Sequence, residues 1–217
     1  MKEPLNMKRL ASYIAGMALL AAGLTLTAMT GLGTSPLTAV AFVIAQWTGA
    51  KFADMVLVMF SVFVLGEIAL EKQKTARNIL LLLLQIPLSV AFTRFMGLIQ
   101  RAFDLSGASL FLRVLLLLLA IVLTGVGAAM TLRAKLIPNP GDGIVKALAT
   151  FTNKPLGRVK NIFDIANVAA AALLSFACLG RLAGVGAGSV LAMLGVGRVI
   201  ALFNRLFPVR RKDESKL

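Results

Sequence analysis

The sequence has no histidine and a single cysteine, Cys178. The first absence excludes imidazole acid–base chemistry and histidine-bound metal. The second excludes an internal disulfide and a cysteine metal cluster. Cys178 lies in an apolar run with small neighbours and reads as packing. Other constellations are missing too: no serine–histidine pair, no paired carboxylate with an evident general-acid partner, and no Walker motif. An ATP-driven pump on this chain alone is excluded, and neither enzymatic activity nor a cofactor is expected. The stretch GVGAGSVLAMLGVG, residues 184–197, is glycine-rich, but no strand precedes it, so it is not a dinucleotide-binding turn. Gly184, Gly186, Gly188, Gly195 and Gly197 instead suggest close helix packing.

What is abundant is apolar surface. Of 217 residues 59% are hydrophobic, and the mean hydropathy is +0.88, beyond the range of a soluble domain. Spanning the hydrocarbon core takes about 20 mostly apolar residues. Windows 10–30, 52–70, 79–99, 108–132, 162–182 and 184–206 meet that length. The runs are continuous rather than alternating, which argues against a transmembrane β-barrel. The opening MKEPLNMKR precedes an apolar run too long for a signal peptide and without a clear cleavage site, so it reads as leading into a retained first span.

The net charge of +14 would suggest nucleic acid in a soluble chain. Here the basic residues sit in short loops and tails, where they set orientation. Lys2, Lys8 and Arg9 precede the first span, and Lys72, Lys74 and Arg77 follow the second. Arg133, Lys135, Lys146, Lys154, Arg158 and Lys160 lie between the fourth and fifth; Arg205, Arg210, Arg211, Lys212 and Lys216 close the chain. Few lie on the opposite side: Lys51, Arg101 and Arg181, with Arg113 close by. The bias gives six spans with both termini cytoplasmic; a five-span count would strand one basic cluster outside. The expected location is a bacterial plasma membrane.

Two segments stand outside the six. One is GTSPLTAVAFVIAQWTG, residues 33–49; the other is LIPNPGDGIVKALATF, residues 136–151. Each has an apolar core too short to span and suited to a re-entrant or interfacial helix. The chain also aligns with itself at an offset of 104 residues, ungapped from Ser35 to Phe103. Pro36 falls on Pro140, Arg77 on Arg181, Arg94 on Arg198 and Arg101 on Arg205. Three spans per repeat is odd, so the second copy must be inverted, a known transporter plan. A duplication that merely gives a stable bundle is the alternative.

NPGDGIVKAL, then residues 155–160 (PLGRVK), a helix carrying Asp164, and GVGAGSVLAMLGVGRVIALF together resemble the YczE/YitT-like family of bacterial membrane proteins. The resemblance covers roughly residues 16–206. Its first-half GxSPWD-like turn reads GLGTSPLT here, with Leu37 and Thr38 in place of the tryptophan and aspartate. The resemblance implies an integral plasma-membrane protein and supplies no substrate.

In the 136–151 stretch Pro138 and Pro140 forbid a continuous helix, while Gly141 and Gly143 permit tight turns. Asp142 is expected either to cap a helix over 143–152 or to face a polar cavity. Asp164 and Asn167, with Asn161 a turn earlier, share a face of the fifth span. An acid inside a span marks a candidate site, or a salt bridge, for instance to Arg198. Arg94 and Arg198 could bind an anion or pair structurally. Glu67 and Asp54 read as interfacial, Trp47 as a belt residue, and Gln85 with Pro87 as a kink facing the bundle interior.

The expected fold is all-α: a polytopic helical membrane bundle of about six transmembrane helices in two inverted three-helix repeats, each with a short broken or re-entrant helix. Residues 1–9 and 208–217 form tails, 10–103 the first repeat and 108–207 the second. Candidate solute contacts are Asp142, Asp164, Asn167, Arg198, Arg94, Ser35, Thr38 and Asn139. The helix-break turns are Gly33, Pro36, Pro140, Gly141 and Gly143. The expected function is a small secondary transporter or facilitator of a small polar solute; the alternative is a scaffold or accessory subunit. Expected partners are the lipid bilayer and that solute, not nucleic acid, with a homodimer left open. A polar cavity lined by both turns would favour transport; a solid core with Asp164 paired to a lysine or arginine would favour the scaffold.

Overall fold

The computed structural model describes residues 6–208, and within them every regular element is helical. Lys2 and most of the basic tail (Arg210, Arg211, Lys212 and Lys216) lie outside the described residues. The elements are α1 (Met7–Met29), a 3-10 turn (Pro36–Thr38) running into α2 (Ala39–Thr48), α3 (Phe52–Leu70), α4 (Ala76–Leu83), α5 (Gln85–Ala102), α6 (Leu110–Ala134), α7 (Pro140–Thr152), α8 (Leu156–Leu179) and α9 (Ala187–Leu206). Six segments are long and apolar enough to cross a membrane, with α4 and α5 counted as one broken span. This is a polytopic helical membrane bundle.

The offset of 104 recurs in the element boundaries. Pro36 and Pro140 open the short helices, and Thr48 and Thr152 end them. Phe52 and Leu156 open the next spans; Ala102 and Leu206 end the last. The packing follows the same exchange. α2 rests on α3 of its own half and α8 of the other, while α7 rests on α8 of its own half and α3 of the other. α5 packs on α1 as α9 packs on α6.

At the centre α1 and α6 run antiparallel, with backbone against backbone. A Cβ on Gly23 would lie 2.7 Å from the Ala120 carbonyl oxygen and 2.6 Å from the Thr124 nitrogen. A Cβ on Gly127, its counterpart, would lie 2.6 Å from the Gly16 carbonyl oxygen and would also strike the Leu20 nitrogen. Gly16 and Leu20 are the counterparts of Ala120 and Thr124, so the same atoms meet twice across a pseudo-two-fold axis. That axis inverts one half relative to the other. Leu37 and Gly141, also counterparts, meet on it: the Leu37 side chain fills the space a Cβ on Gly141 would need.

Local chemistry sets the ends. Asn6 and Ser109 cap α1 and α6 by accepting from the Lys8 and Leu112 amides, each at 3.3 Å. Arg9 donates to the Ala134 and Lys135 carbonyls at the C-terminus of α6, where a cation complements the helix dipole. Pro87 has no N–H for the Leu83 carbonyl, and the third span breaks between Leu83 and Gln85. Two expected boundaries move. α7 begins at Pro140 rather than at residue 143, because proline is accommodated in a first helical turn. α8 begins at Leu156, six residues before the apolar window, because the polar turn holding Arg158 and Lys160 is helical as well. Of the glycines expected to pack closely, Gly197 does not; no atom lies within 4 Å of where its Cβ would be.

Gly127→Val should cost about 2–3 kcal/mol, since the added methyls meet main chain that has no rotamer to yield. Gly197→Val should leave stability nearly unchanged. Thermal unfolding of the purified variants in detergent checks both.

Candidate functional site

A cavity of about 1090 Å³ enters the bundle at the end where α1 begins and where the 71–73 and 135–138 loops lie. Its walls come from both halves: α1, α3, α4 and α5 from the first, α7 from the second. Lys72, Lys135 and Lys146 stand around it together with Glu71. Tyr13 lines it as well, donating from its hydroxyl to the Ile137 carbonyl at 2.7 Å. The volume lies just above the upper end, roughly 1,000 Å³, of the range of small-molecule sites.

Glu67 of α3 and Gln85 of α5 line the cavity from the protein interior. Glu67 is 4% exposed and Gln85 is fully buried. Gln85 Nε2 donates to Glu67 Oε2 at 2.8 Å, the orientation expected because a carboxylate can only accept. The two remaining oxygens, Glu67 Oε1 and Gln85 Oε1, are buried and accept no hydrogen bond from the described residues. The carboxylate lies on Gly143 of α7, where a Cβ would come within 2.6 Å of Oε2. Glycine at 143 is therefore a space requirement, which lets an acid of one half touch the first turn of the short helix of the other. Glu67 was expected at the interface and is instead buried. Its place near the end of α3 is compatible with either position; only the fold brings α7 over it. Gln85 is the kink residue anticipated beside Pro87, and it faces inward.

The counterparts of this site are different. Gly143, Glu67 and Gln85 correspond to Ala39, Ala171 and Ser189. Ala39 and Ala171 pack together fully buried. Ser189 accepts from the Thr34 amide at 3.1 Å, and the Thr34 amide and hydroxyl both donate to the Gly184 carbonyl at 2.8 Å. The Gly188 amide donates to the Leu32 carbonyl at 2.9 Å. These bonds draw the 32–34 and 184–189 segments together. Gly33, at φ +135°, makes the approach possible: a Cβ there would lie 2.6 Å from Ser189 Oγ. At the equivalent place in the other half, Ile137 and Gln85 both line the open cavity. The place at Gly33 and Ser189 is latched, and its equivalent at Ile137 and Gln85 is open.

The remaining sequence candidates disperse. Asn139, not Asp142, caps α7, accepting from the Gly141 amide at 3.0 Å. Starting the helix at Pro140 places Asp142 in its first turn, half-buried, within electrostatic reach of Lys160 and Asp164. Asp164 is buried and pairs with Lys160 one turn earlier at 3.1 Å, not with Arg198, because a lysine on the same helix face is the nearer cation. Arg198 is exposed and donates to the carbonyl of Leu194 in its own helix. Asn167 donates to the Phe163 carbonyl, and Asn161 is exposed. Arg94 forms an exposed pair with Asp54 at 3.4 Å. Pro36, Ser35 and Thr38 are buried at the first turn, with the Thr38 hydroxyl donating to the Ser35 carbonyl. None of these residues lines the cavity. Of the two turns only the second reaches it, through Pro138 and Gly143.

The family model of DUF6198, described as a family of unknown function, matches residues 7–205. This chain belongs to the DUF6198 family. The match runs from the first residue of α1 to the last turn of α9 and so takes in both halves of the chain. No curated protein and no solved structure matches the chain.

Gln85→Leu should destabilise the protein by about 3 kcal/mol, since it leaves the Glu67 carboxyl buried without its donor. Replacing both Glu67 and Gln85 by leucine should recover more than half of that loss. Unfolding midpoints of the two single variants and the double variant in detergent test the coupling; additive losses would mean the two side chains do not act as a pair.

Proposed function

We propose that this chain is a small secondary transporter or facilitator of a small polar solute in a bacterial plasma membrane. Both termini lie in the cytoplasm on this reading, and the cavity opens there. The observation that carries it is the inequality of two equivalent places: an open cavity at Gln85 and Ile137, and a hydrogen-bonded latch at Ser189 and Gly33. In inverted-repeat carriers the two halves rock about a site at their interface. Equivalent places of the two halves, one latched and one open, have the form of one such state.

The cavity chemistry indicates the kind of solute. Lys72, Lys135 and Lys146 favour an anionic group near the mouth, and the Glu67–Gln85 pair holds two unpartnered acceptor oxygens deeper in. A zwitterion satisfies both. On this reading the solute contacts move from the sequence candidates to Glu67 and Gln85. Kinship with the YczE/YitT-like proteins rests on the NPGDG turn, the Asp164 helix and the glycine-rich last span. A scaffold or accessory role is the second reading. It is favoured by the Lys160–Asp164 pair, which uses the acid of α8 for structure.

Reconstituted in liposomes, the protein should take up one or more members of a panel of zwitterionic and anionic metabolites above the protein-free background. Gln85→Ala should lower that uptake about tenfold, the equivalent of one hydrogen bond, while Asp164→Asn should change it little. Absence of uptake across the panel would favour the scaffold.

A further inference from the structure

We propose that Glu67 and Gln85 form a proton-binding site served by the cavity. Two unpartnered oxygens, Glu67 Oε1 and Gln85 Oε1, belong to two groups already joined by one hydrogen bond. A buried acceptor left unmade is costly, and here there are two side by side in sequence-distant helices. One proton removes both defects. Placed on Glu67 Oε1, it turns that oxygen into a donor, and the donor's natural acceptor is Gln85 Oε1. The amide already donates in the opposite sense, to Glu67 Oε2. The result is a closed acid–amide pair with two antiparallel hydrogen bonds and no net charge. The proton comes from a hydronium ion of the solution filling the cavity: one of its O–H bonds breaks, leaving water, as an O–H bond forms on the carboxyl, and the reverse exchange returns the proton to water.

Other occupants fit less well. A hard metal ion takes six or more oxygens, and the pair offers two unpartnered ones, with Gly143 pressed against the carboxylate. The charged and titratable groups around Glu67 are few. From α7, Lys146 acts on it directly, and Asp142 lies a turn earlier. α1 contributes Tyr13 and Arg9 to the cavity wall, and the loops contribute Glu71, Lys72 and Lys135. α2, which also packs on α3, carries no charged residue. Lys146 is the cation placed to hold the ionised form when the proton leaves.

The counterparts Ala171 and Ser189 cannot carry a proton this way, so the site is not repeated at the equivalent place of the second half. As a coupling site the pair rests on the transport reading; as a proton site it does not. Infrared spectra of the protein in lipid bilayers, recorded across pH without solute, test it. The wild type should show a protonated-carboxyl C=O band that titrates with pH and is lost in Glu67→Gln. That variant should unfold at the same temperature, since an amide–amide pair keeps both hydrogen bonds. Identical carboxyl bands in the two proteins would overturn the proposal. Should Glu67→Gln fail to fold, Gln85→Leu takes its place: removing the acceptor should move the band to higher frequency, and an unmoved band would overturn the proposal. Missing uptake would leave the band in place, and a missing band would leave uptake in place, so the two readings fail separately.

Discussion

Everything in this bundle depends on the backbone contact between α1 and α6. Helices in lipid gain little from burying apolar side chains against one another, so close approach and dispersion have to hold them. Gly23 and Gly127 permit that approach at two equivalent points, and the antiparallel pair so formed defines the axis about which the halves are exchanged. The short helices follow from it. Each lies against a span of both halves, and their first turns meet at the centre. Main chain that could not face lipid is thereby enclosed in protein, the condition under which a broken helix is tolerated at membrane depth.

On this near-symmetric frame the chemistry is one-sided. The difference is concentrated in the third span of each half. In the first half the stretch before the break is the helix α4, which has no buried residue and helps wall the cavity. In the second half the equivalent stretch, residues 180–186, is a glycine-containing loop drawn onto residues 32–34. Glu67 and Gln85 stand beside the open version; alanine and serine stand beside the latched one. Polarity and access coincide, which is the arrangement a solute site needs.

Much of the architecture was legible in the sequence because it rests on length and hydropathy. The six windows and the two short segments all correspond to helices, and the 104-residue offset places equivalent boundaries. Pro87 and Gln85 marked the break from local chemistry alone. The site was less legible. Asp142 and Asp164 drew attention because acids in apolar runs are conspicuous, yet one sits in a helix turn capped by Asn139 and the other pairs with Lys160. Glu67, near a span end, resembled an interfacial residue. Its burial comes from Gly143, 76 positions away, and no local pattern encodes that contact. One signal was available: under the repeat, Glu67 and Gln85 fall on Ala171 and Ser189, a polar pair against small residues.

The meeting of Leu37 with Gly141 bears on ancestry. A residue on a two-fold axis meets its own copy, so in a dimer of two identical halves that place would hold leucine against leucine or glycine against glycine. The first would overfill the space and the second would leave a void. One leucine over one glycine fills it, and two identical halves cannot supply that combination. Off the axis, Glu67 and Ala171 are counterparts that differ as well, one lying on Gly143 and the other on Ala39. Unlikeness of the two halves thus frees the centre of the molecule from having to fit itself, and lets one face of the membrane be treated differently from the other.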